Sequence, residues 1–188
     1  MKGMFKYTKK GQMLDVLKSH AANALIFIFL WLAMVALWTN KVGGYIFTAI
    51  AVVSNFFAIY ACGERAAKND QKSYIEGDPD LKKCLYIPAL LVLVNLAFVG
   101  LYKATWVFGS DGNSIQELWS LITNIISIAW FAVYGSLAGM DKGNFSLIGV
   151  IFIVGLPYLS YFLGYLAGVK KFDINEVLFG FMYEKKKK

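Results

Sequence analysis

Apolar residues in this chain gather into five long runs, approximately 21–40, 43–62, 84–102, 117–139 and 145–168, separated by short polar stretches. Crossing about 30 Å of hydrocarbon takes roughly 20 apolar residues at 1.5 Å per helical residue. Each run has about that length. Lys41, Glu64, Lys83, Lys103, Glu117, Asp141 and Lys170 all fall at or outside the ends, so the hydrophobic centres carry no Asp, Glu, Lys or Arg. In lipid every backbone polar group must bond inside the protein, which leaves helices or closed barrels. The unbroken run from Ala24 to Leu32 has none of the period-two alternation of a barrel strand. The pattern therefore predicts an all-α, polytopic integral membrane bundle: five transmembrane helices forming a single unit over 21–168.

Two flanking segments differ. In the basic leader, 1–20, Phe5, Met13, Leu14, Val16 and Leu17 are interspersed with Lys2, Lys6, Lys9, Lys10 and Lys18. This suits a short amphipathic helix on an anionic leaflet, with a solvated leader as the alternative. The run that follows is too long and too rich in bulky side chains for a cleavable signal peptide and reads as a retained anchor. In the tail, 169–188, Ile174, Val177, Leu178, Phe181 and Met182 recur at helical spacing before four terminal lysines. That segment is too short to span, and is expected at the interface among anionic headgroups or docked on the ends of the bundle.

Composition and charge then bear on orientation. The chain is 58% hydrophobic and only 16% charged over 188 residues, where a soluble domain is about 25% charged. If the runs alternate sides, the leader, the cations Arg65, Lys68, Lys72, Lys82 and Lys83, and Lys142 share one side. The positive-inside rule makes that side, and the N-terminus, cytoplasmic. Five spans then put the lysine tail outside, against the same rule. Either the tail is external despite its charge, or the fourth run enters and returns without crossing; it is the most polar, with Ser120, Thr123, Asn124, Ser127, Tyr134 and Ser136. The 23 positions from 117 to 139 suffice to cross with some tilt, so five full spans are the expectation.

Candidate chemistry is sparse. The single histidine, His20, stands just before the first run and is expected at the interface; alone it excludes bis-histidine haem, three-histidine zinc and HExxH sites. Cys62 and Cys84 bracket the 63–83 connection and are expected as reduced thiols on a cytoplasmic side. No run supplies a carboxylate for an aspartyl protease or an acidic proton relay, nor a histidine to partner Ser136. Glu76, Asp78 and Asp80 alternate and offer oxygen ligands to a hard cation, but Gly-Asp-Pro-Asp reads first as a turn. No metal, cofactor, nucleotide or nucleic-acid site is expected.

Inside the runs, Asn55, Asn95 and Asn124 lie at middle depth, where an amide needs a partner. They either join helices or line one polar cavity for a neutral or zwitterionic ligand. Gly135 and Gly139, and then Ser160, Gly164 and Gly168, repeat at four-residue spacing and let helices approach closely, within the bundle or against a membrane-protein partner or second copy. Pro88 and Pro157 each remove one backbone donor and are candidate hinges.

The stretch Ile59-Tyr60-Ala61-Cys62-Gly63-Glu64-Arg65-Ala66-Ala67-Lys68-Asn69-Asp70, the Lys-bearing start of a Pro-containing run, and Gly164-Tyr165-Leu166-Ala167-Gly168-Val169-Lys170-Lys171 before Met182-Tyr183 and a lysine tail carry a likeness. The chain resembles small multi-span membrane proteins of low-GC Gram-positive bacteria that have no assigned activity. That resemblance implies a bacterial plasma membrane and carries over no site residues. The functional expectation is a non-enzymatic membrane subunit or interaction module; the alternative is a transport-type protein holding a neutral or zwitterionic solute or lipid headgroup near the three asparagines. A headgroup enzyme using the Glu64–Asp80 connection is a third.

Overall fold

A computed structural model describes residues 8–33, 41–72, 81–108, 114–138, 140 and 144–170. Its elements are α1 (Lys9–Ala33), α2 (Lys41–Lys72), a single turn α3 (Lys83–Tyr86), α4 (Ala89–Phe108), α5 (Ser114–Phe131), a 3-10 helix (Ala132–Ala138) and α6 (Leu147–Val169). Five stretches are long and apolar enough to cross a membrane: Lys9–Ala33, Val42–Gln71, Lys83–Trp106, Glu117–Tyr134 and Leu147–Val169. Local chemistry sets several boundaries. Thr8 Oγ1 accepts from Gly11 N at 3.1 Å to cap α1, and Ser146 Oγ accepts from Gly149 N at 2.9 Å to cap α6. Pro88 has no N–H to give the preceding turn and separates α3 from α4. It interrupts the Lys83–Trp106 stretch, whereas Pro157 lies inside α6.

Two helices run past the ends that the apolar runs predict. The first begins at Lys9 and not near residue 21, so the leader from Lys9 onward is part of α1 and not a separate helix lying on a leaflet. Gln12, Val16 and His20, spaced by four, form its buried face. Two of those three are polar, which hides the face from a hydropathy reading. His20, expected at the interface, is fully buried. Likewise α2 continues ten residues beyond Cys62, and what reads as a polar loop from Gly63 is helix as far as Lys72, with Ala66 and Ala67 fully buried. Glu76, Asp78 and Asp80, Gly139, and the tail beyond Lys170 lie outside the described residues.

Side-chain contacts fix the direction of each helix. Gln12 reaches Asp70 and Asn23 reaches Ser54 O, and Phe27 meets Phe47, so α1 and α2 are antiparallel. Lys83 pairs with Asp70, and Gln71 Nε2 donates to Val169 O at 2.8 Å. One end of the bundle therefore holds the start of α1, the end of α2, the start of α3 and the end of α6. Consistently, α6 runs parallel to α2: Gly164 lies on Tyr60 and Gly168 on Glu64 and Ala67.

This arrangement leaves α5 short of a full traverse. Ser120 and Asn124 meet Thr105 near the far end of α4, and Trp130 meets Phe98 and Asn95, so α5 descends along α4. The 3-10 helix then turns back. Ser146 N donates to Ala138 O, and Phe145 packs on both Tyr102 and Phe131. The core follows suit. One cluster, at the end with Lys9, joins Val16, Ile59, Cys62, Cys84, Leu91, Tyr161 and Tyr165. The other joins Ala24, Phe27, Phe47, Ala51 and Ile153 with Phe131, Val133, Tyr134 and Ala138. Trp130 is packed against both, shortly before the chain turns.

Candidate functional site

At that turning point the interior is polar. Asn95, at the midpoint of the Lys83–Trp106 stretch, is fully buried and uses both ends of its amide. Its Oδ1 accepts from Trp130 Nε1 at 2.8 Å, while its Nδ2 donates to Ile153 O at 3.0 Å and to Tyr134 Oη at 3.2 Å. The bond to Ile153 has a cause four residues along α6. That carbonyl would normally accept from residue 157, which is Pro157 and has no N–H. Asn95 supplies the missing donor from a neighbouring helix, so the proline of α6 and the asparagine of α4 are halves of one feature.

Beside this satisfied set lies an unsatisfied one. The His20 ring centroid is 4.8 Å from that of Trp130 and 5.8 Å from that of Tyr134, and the Asn55 carboxamide neighbours the imidazole. The Trp130 backbone also lies within reach of the imidazole, but His20 Nδ1 and Nε2 and Asn55 Nδ2 and Oδ1 are all buried and make no well-aligned hydrogen bond among the described residues. Ser127 Oγ is in the same condition; it precedes Trp130 by three residues on α5. Five polar atoms from α1, α2 and α5 are thus withdrawn from water without exchange for protein partners, a state native interiors rarely leave unfilled.

Of the three asparagines singled out by depth, Asn55 and Asn95 meet around His20, Trp130 and Tyr134, and Asn124 does not. Asn124 Oδ1 accepts from Thr105 Oγ1 at 3.1 Å and joins α5 to α4 nearer the far end. His20, Ser127, Trp130 and Tyr134 escape a search confined to mid-run amides. The available signal was the four-residue spacing Gln12, Val16, His20, which places the histidine on a continuous helix face.

The small residues of α6 are occupied within the bundle. A Cβ on Gly164 would collide with the Tyr60 backbone, and one on Gly168 would lie 2.6 Å from Ala67 Cβ; Ser160 donates to Leu156 O at 2.6 Å. Gly63 of α2 completes the crossing against Tyr161 and Tyr165. Gly135 lies in the 3-10 helix.

A second polar centre closes the end that holds Lys9. Asp70 Oδ2 accepts from Lys83 Nζ at 2.7 Å and from Tyr165 Oη at 2.8 Å, and Oδ1 accepts from Gln12 Nε2 at 3.4 Å. One carboxylate thereby ties α1, α2, α3 and α6. Arg65 bridges to Asp15 at 3.5 Å nearer the surface. Cys62 and Cys84 are buried in the adjacent core cluster and are not joined in a disulfide, and no group of three or more His, Cys, Asp or Glu suited to a metal occurs among the described residues. Comparison of the chain with family models, with curated proteins and with solved structures gives no match.

Proposed function

We propose that the chain is a multi-pass protein of a bacterial plasma membrane in which α1, α2, α3–α4 and α6 cross, α5 and the 3-10 helix re-enter, and the polar interior at their tip serves passage of a small neutral solute. The observation that carries this reading is the turn of the chain inside the bundle against partnerless polar side chains. Irregular backbone at membrane depth is tolerated where it is buried in protein or lines a hydrated cavity, and interrupted helices at mid-membrane are how transporters build solute sites. Charge supports the same topology. Lys9, Lys10, Lys18, Arg65, Lys68, Lys72, Lys82, Lys83 and Lys170 all belong to one end, against Lys41 and Lys103 at the other, so both termini are cytoplasmic and the tail no longer opposes the positive-inside rule. The subunit reading drew on the lack of reactive residues and on the small-residue faces of the fourth and fifth runs, of which Gly164 and Gly168 pack against α2.

Single cysteines at Asn144 and Lys188, in a background with Cys62 and Cys84 replaced by serine, test the topology with a membrane-impermeant maleimide on intact cells. Labelling at 144 with protection at 188 is expected; five full crossings from a cytoplasmic N-terminus require the reverse. For passage, proteoliposomes in an acetamide or glycerol gradient should swell faster than protein-free vesicles. Rates no faster than those of protein-free vesicles in both gradients would remove the transport reading.

A further inference from the structure

We infer that His20, Asn55 and Ser127 form a binding site for a small uncharged amide, an inference that rests on the transport reading for the solute's route. All three side chains are fully buried, their five polar atoms make no well-aligned hydrogen bond among the described residues, and the His20 ring packs against Trp130 and Tyr134. Asn95, by contrast, is bonded through both ends of its amide.

The donor and acceptor count defines the ligand. A neutral imidazole offers one donor and one acceptor, a carboxamide offers two donors and an acceptor, and a hydroxyl offers one donor and accepts. The three carry no formal charge as a set, and a charged solute would be desolvated without a counter-ion. A ligand must therefore be uncharged and present both a donor and an acceptor. A primary amide does so from adjacent atoms in one plane, matching the Asn55 carboxamide edge to edge and leaving a lone pair or N–H for His20. The indole of Trp130 and the phenol of Tyr134, close against His20, add flat walls that suit a planar group better than a polyol.

His20 is the one histidine of the chain, so isotope-labelled histidine gives a single imidazole signal in the full-length protein in nanodiscs. Titration with acetamide should shift that signal saturably. Ser127→Ala and Asn55→Leu should each weaken the apparent affinity about tenfold, the worth of one lost hydrogen bond, whereas Asn124→Leu should leave it unchanged. Glycerol should give no saturable shift. No saturable response to acetamide, an equal response to glycerol, or full affinity in both Ser127→Ala and Asn55→Leu would overturn the inference. The first of these means that the site holds internal water only. Ser127→Ala removes one atom and keeps the test open where Asn55→Leu does not fold. Vesicles that swell while the His20 signal stays silent would overturn this site and leave the transport reading; a saturable signal in vesicles that do not swell would do the opposite.

Discussion

Asn55 and Asn95 are the same residue, equally buried, yet opposite in what they do for the fold. Asn95 completes Trp130, Tyr134 and the carbonyl that Pro157 leaves open, so Asn95→Leu strands three polar groups at once. Stranding a buried partner costs about 1–3 kcal/mol in soluble proteins, and bonds between membrane helices average about 0.6 kcal/mol. A loss of about 2–3 kcal/mol in unfolding free energy is expected, read from denaturant unfolding in mixed micelles. Asn55 has only the His20 imidazole beside it and no well-aligned bond to lose, so Asn55→Leu should cost clearly less than Asn95→Leu in the same assay. An equal loss for both variants would show that depth alone, and not bonding, sets their cost. Depth was legible in the sequence and picked out both residues. Which of them is bonded was not, because partners 35 to 58 residues away supply the bonds.

Helices α2 and α6 come close enough at Gly63, Gly164 and Gly168 for their backbones to meet. The three glycines at the crossing leave no room for a methyl group, whereas Gly155 of α6 has nothing within 4 Å of where a Cβ would stand. Gly164→Ala should therefore force the helices apart and destabilise by about 2 kcal/mol, within the range for overpacked sites. Gly155→Ala should be neutral or stabilising by up to about 1 kcal/mol from helix propensity. Thermal melting of the two purified variants separates them, and equal shifts would dismiss the close-approach account. Hydropathy located five apolar elements, since length and apolarity are properties of a segment alone. It misjudged where α1 begins and α2 ends. The added turns bury polar or small residues such as Gln12, His20, Gly63 and Ala67 against neighbouring helices, and apolarity does not reveal them.

Across the whole molecule, the Asp70 carboxylate joins four elements at the end where the cations collect. Its side chain and that of Lys83 are only 11% and 10% exposed, so Asp70→Asn leaves an ammonium buried without its counter-charge. Breaking such a pair from one side costs about 3–5 kcal/mol, while replacing both partners by apolar groups costs far less. Asp70→Asn alone should lower stability by about 3 kcal/mol, and adding Lys83→Met should restore part of it. A double variant that loses the sum of the two single losses would show that the pair is not coupled. The sequence by itself determined the helical class, the five apolar runs and the candidates Asn55 and Asn95, because hydrophobic length and the need to partner a buried amide are local facts. Only the tertiary structure decided that Ala138 is brought back against Ser146 at the start of α6, that His20 lies inside, and that Asn124 stands apart. Each of those depends on which helix faces which, and the direction of a helix in a bundle is set by contacts between segments that a one-dimensional pattern does not contain.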